Sequence, residues 1–135
     1  MIYHGNRIKV RADADPAQVE SALEVLRAQG RNIPSVRSFF IGREYGRFDW
    51  SAIFVLDDLD GYREYLAHPA HQASERAGLP LMESLETFDI TDEPDPEFSA
   101  KVAELQRSHY AAHPDLLPLV VGLSSHSGPS VVEPA

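Results

Sequence analysis

Cysteine is absent from the 135 residues, tryptophan occurs once and methionine twice. Without a thiol there is no disulfide framework, no thiolate metal site and no cysteine nucleophile. Basic residues are few beside acidic ones, 12 against 21, for a formal charge of -9. Such a chain has little with which to neutralise phosphates, so neither nucleic acid nor an anionic membrane is an expected partner. Long apolar runs are missing too, and the opening "MIYHGNRIKV" carries charge by its seventh residue. Neither a signal peptide nor a membrane span is expected, and a cytoplasmic location is the default. Gly42 and Gly46 form no phosphate-cradling pattern, no "HExxH" is present, and no internal repeat is apparent. What remains is a chain 43% hydrophobic, long enough for one compact core.

Hydrophobic periodicity orders that chain. In "IYHGNRIKVR", residues 2 to 11, Ile2, His4, Asn6, Ile8 and Val10 share one strand face, while Tyr3, Arg7, Lys9 and Arg11 share the other. A helix follows, with Asp15 as N-cap, Pro16 at its first position, Val19, Leu23 and Leu26 on one stripe, and Gly30 as its stop. "SVRSFFIG" and "RFDWSAIFVLDD" read as a hairpin around "REYGR". Leu59, Tyr62, Tyr65 and Leu66 mark a second helix that ends before Pro69, and a further helical turn or two precedes Gly78 and Pro80. "LETFDIT" is the last strand. The order β-α-β-β-α-β predicts an α+β, ferredoxin-like domain over residues 1–92. Helices cover only one face of such a sheet, so a homodimer is expected to cover the other. Residues 93–135 are expected to add a helix with Phe98, Val102, Leu105 and His109 on one stripe, an apolar segment at 116–123 that docks, and a mobile finish of about ten residues.

The stretch "YREYLAHPAHQ" concentrates the chemistry. Tyr65 and His68 are three apart on one helical face, and the chain turns at Pro69 to bring His71 near. Imidazoles suit proton transfer at neutral pH, and a tyrosine hydroxyl can donate to a developing oxyanion. His4, on the inward face of the first strand, can reach the same space. Asp89 lies in the last strand, the usual neighbour of the first, where its carboxylate can orient an imidazole. Spacing alone leaves a purely structural role open, with His68 helping to end the helix. A metal is a weaker reading: His68 with His71, or His109 with His113, offers two ligands, and no third is fixed by spacing. His109 and His113 are expected on an exposed or interfacial side. Ser124, Ser125 and His126 lack the strand-turn-helix setting of a nucleophile.

"YHGNRIKV", "NIPSVRSFFIG", "YREYLAHPAHQ" and "TFDIT" together resemble the stress-responsive A/B barrel family over residues 2 to about 92. That resemblance implies a dimeric α+β barrel. Carried over from the family's polyketide cyclases, it implies His71 as base, Asp89 as the acid that holds it, Tyr65 as the group that polarises a carbonyl, and His4 beside them. His68, Asn6, Trp50 and Arg43 would bind substrate. Asn6 stands where the cyclases have an apolar residue, and Arg43 and Arg47 could serve an anionic group or solvate a turn. The implied activity is cofactor-independent acid–base chemistry next to a carbonyl, by a cyclase, aldol-type lyase or isomerase, on a small, partly aromatic or polyketide-like molecule. No metal is implied. A non-catalytic dimeric stress-associated or ligand-binding protein, and a cofactor-free oxygenase drawing on Trp50, remain alternatives.

Overall fold

The two-residue alternation of "IYHGNRIKV" places β1 (Ile2–Val10) at the heart of a five-stranded sheet. The computed structural model describes residues 1–129. After β1 come α1 (Pro16–Asn32), β2 (Val36–Arg43), β3 (Trp50–Leu56), α2 (Leu59–Ala67) and α3 (Pro69–Gly78). A 3-10 turn at Leu79–Leu81 leads into β4 (Met82–Thr91), then α4 (Phe98–Ala112), α5 (Leu117–Val121) and β5 (Ser125–Ser127). The sheet order is β2-β3-β1-β4-β5, and β1 pairs antiparallel with both β3 and β4. The first four strands and their helices are the expected ferredoxin-like arrangement.

Register decides which side chains share a face. Phe39, Phe54, His4 and Asp89 form one row across four strands, and Ile41, Ala52, Asn6 and Thr87 form another, both on the helix side. The main core joins Ile2, Phe54, Leu56, Tyr62, Tyr65 and Leu66. Burying each such side chain contributes about 1.5–3 kcal/mol. A second cluster gathers Ile8, Leu79, Leu85, Tyr110, Leu116 and Val120. The opposite sheet face is apolar but bare: Phe40 is 74% exposed, Ile90 61% and Tyr3 43%.

Local capping explains the helix starts. Asp15 accepts from the Ala17 amide at 2.9 Å and Asp58 from the Gly61 amide at 2.8 Å. Glu44 pins the β2–β3 hairpin by accepting from the Arg7 guanidinium at 2.9 and 2.8 Å and from the Ser51 hydroxyl at 2.5 Å. These donors hold its carboxyl at about 2, well below the usual range.

Three expectations are corrected. Gly30 does not end α1, which runs to Asn32. It lies buried where a Cβ would meet the Phe39 ring, so its value is close packing. A fifth strand that the sequence did not suggest, β5, runs parallel to β4 with Ser125, His126 and Ser127 opposite Ser84, Leu85 and Glu86, where the finish expected to be mobile begins. The last six residues of that finish, 130–135, lie outside the described residues. His109, expected on an exposed or interfacial side, is buried at 5% against Glu75 of its own chain. The expected docking of 116–123 holds: Leu116 and Val120 are buried against the second cluster. No helix among the described residues is long and apolar enough to cross a membrane.

Candidate active site

Cross-strand pairing puts His4 directly opposite Asp89. His4 Nδ1 lies 2.8 Å from Asp89 Oδ1, and both groups are almost fully buried. The Tyr62 hydroxyl joins them from α2, 2.9 Å from His4 Nδ1 and donating to the Asp89 carboxylate at 3.2–3.3 Å. Burial and the Asp89 charge push the Tyr62 phenol well up, so it stays a donor. The carboxylate that the resemblance assigns to His71 therefore belongs to His4. The physical reason is register: facing residues on adjacent strands have close Cβ atoms, and His71 sits on a helix.

His71 has a different acid. One turn along α3, Glu75 places Oε1 2.8 Å from His71 Nδ1, an ion-pair contact whose geometry falls outside hydrogen-bond alignment. From α4, His109 Nε2 reaches the same oxygen at 2.5 Å, and the Tyr110 hydroxyl donates to Oε2 at 3.1 Å. Although burial alone would raise it, these partners hold the Glu75 carboxyl down at about 2. His71 is lowered from its ordinary value, first by burial, so its imidazole is neutral at pH 7. With Nδ1 turned to Glu75, Nε2 is the nitrogen open to a ligand.

Tyr65 sits between the two imidazoles, its ring centroid 5.6 Å from His4 and 4.8 Å from His71. Its hydroxyl accepts from Gln29 Nε2 at 2.5 Å and is hydrogen-bonded by the Asn6 amide. Burial raises the phenol well above its usual value and keeps it protonated. With the Gln29 amide donating to its oxygen, the protonated phenol retains an O–H that can donate to a ligand oxygen.

His4, Asn6, Tyr65, His71, Glu75 and Trp50 all line one cavity of about 100 Å³. Its other wall is apolar, formed by Leu23 and Leu26 of α1 with Leu79 and Leu85. Tyr65, His71 and His4 thus converge as expected, together with Asn6 and Trp50, whereas Asp89 stands behind His4. Two expected binding residues lie elsewhere. His68 caps α3, its Nδ1 accepting from the Ala70 amide at 3.1 Å. Arg43 stacks on Trp50, its guanidinium 4.7 Å from the ring centroid, and does not line the cavity. Sequence reasoning missed Glu75, Tyr62, Gln29, Gln106 and Tyr110, and weighed His109 only as a metal ligand beside His113. Glu75 was legible as the residue four after His71 on one helix, and Tyr62 as three before Tyr65. Nothing in the sequence marks the others.

His71, Glu75 and His109 also bring three metal-ligating groups within 4.8 Å of one another, the third ligand that spacing did not supply. Yet the Glu75 oxygen stands 2.8 and 2.5 Å from the two nitrogens, hydrogen-bonding distances. Two ligands on a tetrahedral ion with bonds of about 2.0–2.1 Å would be roughly 3.3 Å apart. The arrangement fits a carboxylate shared by two imidazoles.

A family model for the stress responsive A/B barrel domain matches residues 2–92. No curated protein matches. Among solved structures, a dimeric ferredoxin-like protein of unknown function from Thermobifida fusca superposes with a TM-score of 0.61 at 24% identity, covering 67% of this chain and 89% of that one. The hydroxynitrile lyase from Passiflora edulis gives 0.61 at 10% identity, covering 70% and 96%. SnoaB, a cofactor-independent oxygenase from Streptomyces nogalater, gives 0.56 at 24% identity, covering 70% and 95%.

Proposed function

The chain belongs to the stress-responsive A/B barrel family, and from that premise we propose that it is a cofactor-independent acid–base enzyme acting next to a carbonyl. The observation that carries this reading is the pair of imidazole–carboxylate couples, His4 with Asp89 and His71 with Glu75, whose imidazoles line one cavity on either side of the Tyr65 ring. His71 Nε2 removes a proton from the carbon alpha to a carbonyl, and Glu75 stabilises the imidazolium that results. Tyr65 donates its proton-bearing hydroxyl to the carbonyl oxygen as negative charge develops there. The His71 imidazolium returns that proton to the product, while His4, held by Asp89 and Tyr62, lines the opposite side. The substrate class that suits these walls is a small, partly aromatic or polyketide-like molecule, and the reaction is an aldol-type cyclisation, cleavage or isomerisation.

The protein acts as a homodimer in this reading. Phe40, Ile53 and Phe88 form one row on the uncovered face, and Val55, Tyr3 and Ile90 form the next, an apolar surface suited to a second copy. The dimeric state of the Thermobifida fusca protein supports it.

Deuterium wash-in alpha to the carbonyl, followed by NMR across a panel of aryl ketones and poly-β-ketones, tests the chemistry without knowledge of the natural substrate. His71→Ala is expected to slow exchange by about 10²–10⁴-fold, and Tyr65→Phe by about 10²–10³-fold. Equal exchange in wild type and both variants would sink the reading. The likeness to SnoaB supports a second one, oxygenation of a phenolic substrate beside Trp50, which predicts oxygen consumption in place of simple exchange.

A further inference from the structure

We infer that His109, on a helix beyond the matched family domain, is a positioning residue that sets the protonation behaviour of His71 through Glu75. This inference rests on the reading of His71 as the base and adds the C-terminal extension to its machinery. The matched domain ends at residue 92, whereas α4 begins at Phe98. Along α4, Val102 packs into the main core while Gln106, His109 and Tyr110 are buried toward the site. Periodicity places Val102, Gln106 and His109 on one face, at spacings of four and three, so anchoring the first delivers the others.

The chemistry follows from how many donors one carboxylate receives. Glu75 is only 13% exposed, and a buried carboxylate demands compensating hydrogen bonds. His109 Nε2–H supplies one on Oε1 and the Tyr110 hydroxyl one on Oε2. These two fix the carboxylate plane, and His109 together with the neighbouring His71 holds it ionised, with Oε1 facing His71 Nδ1. The negative charge 2.8 Å from that nitrogen, though outside hydrogen-bond alignment, favours the His71 tautomer with hydrogen on Nδ1 and a free pair on Nε2. Because His109 already shares Oε1, the carboxylate attracts an imidazolium at His71 less than an unshared one would. His109 thereby keeps His71 neutral, and hence basic, at lower pH. The groups facing His71 are Glu75 on its own helix, His109 and Tyr110 from α4, Tyr65 from α2 and His4 from β1. Of these, only His109 and Tyr110 come from outside the family domain.

The full-length protein, labelled with ¹⁵N in its imidazoles, reads this directly by NMR titration, independently of any turnover. In wild type, His71 is expected as the Nδ1–H tautomer with a midpoint below that of an ordinary histidine. His109→Leu, which keeps the volume and removes the donor, is expected to raise that midpoint by about half a pH unit or more and to mix the tautomers. His109→Gln restores an N–H donor and is expected to return both readouts toward wild type. Tyr110→Phe removes the other donor and moves the midpoint in the same direction. If His109→Leu folds and leaves the tautomer and midpoint of His71 unchanged, His109 is a packing residue and the inference falls. It falls equally if one equivalent of Zn²⁺ binds the wild-type protein and perturbs both imidazoles together, since the three groups are then a metal site. Absent exchange chemistry with these shifts intact would instead count against the proposed reaction alone.

Discussion

Glutamine at position 75 would isolate the charge on which the site depends. Folding lowers the Glu75 carboxyl from 4.5 to about 2, a difference of roughly 2.5 pH units. At about 1.4 kcal/mol per unit, the ionised folded form carries roughly 3 kcal/mol of linked stability. A depressed carboxyl contributes this in full above pH 4.5 and loses it as pH falls toward 2. About 2 kcal/mol of the loss is complete by roughly pH 3. His71 acts in the same sense at higher pH, because the unfolded chain takes up a proton near 6.5 that the buried imidazole resists. At pH 7, Glu75→Gln is expected to destabilise by about 1–3 kcal/mol, since an amide offers one acceptor oxygen where the carboxylate's two served His109 and Tyr110, and its charge beside His71 is lost. Below pH 4.5 the wild type gives up its advantage and the two proteins converge. Urea unfolding followed by far-UV circular dichroism at half-unit steps from about pH 7 to 3 would show it. With slopes of roughly 1–3 kcal/mol per molar urea, the midpoint gap should close by about 1–2 M. A gap that stays constant between about pH 5 and 3 would refute the assignment of the charge to this buried cluster.

Two further outcomes test packing and assembly. Gly→Ala inside a helix ordinarily gains about 1 kcal/mol, but Gly30→Ala is expected to destabilise by about 1–3 kcal/mol. A methyl at that position drives into the Phe39 ring, and calorimetry should find a Tm lower by roughly 3–10 °C. Phe40→Glu with Ile90→Lys puts charge on the bare sheet face, and light scattering should then report half the mass of the wild type. An unchanged mass would place any interface elsewhere.

Much of the fold is legible before any coordinates because its signals are local. Alternation in "IYHGNRIKV", the Asp15-Pro16 start of α1 and the Pro69 break between α2 and α3 are each set by neighbours within a turn or a strand. Where a local signal and a distant contact compete, the local one misleads. Gly30 carries a stop signal, yet α1 runs on to Asn32 and the glycine instead leaves room for the Phe39 ring. Ser125–Ser127 has the composition of a loose end, yet β4 offers an open edge and β5 pairs with it.

The site divides along the same line. Residue type and spacing alone determined that Tyr65 and His71 are neighbours on consecutive helices, and that His4 and Asp89 belong to strands that pair. Only the tertiary structure decided which acid serves which imidazole. A strand register fixes facing pairs to within one side chain, so Asp89 went to His4. The acid for His71 was already one turn away, but its character depends on α4, whose place against α2 is set by burial of Val102. Proton chemistry here is a property of distances between separate elements, and those distances are decided by packing.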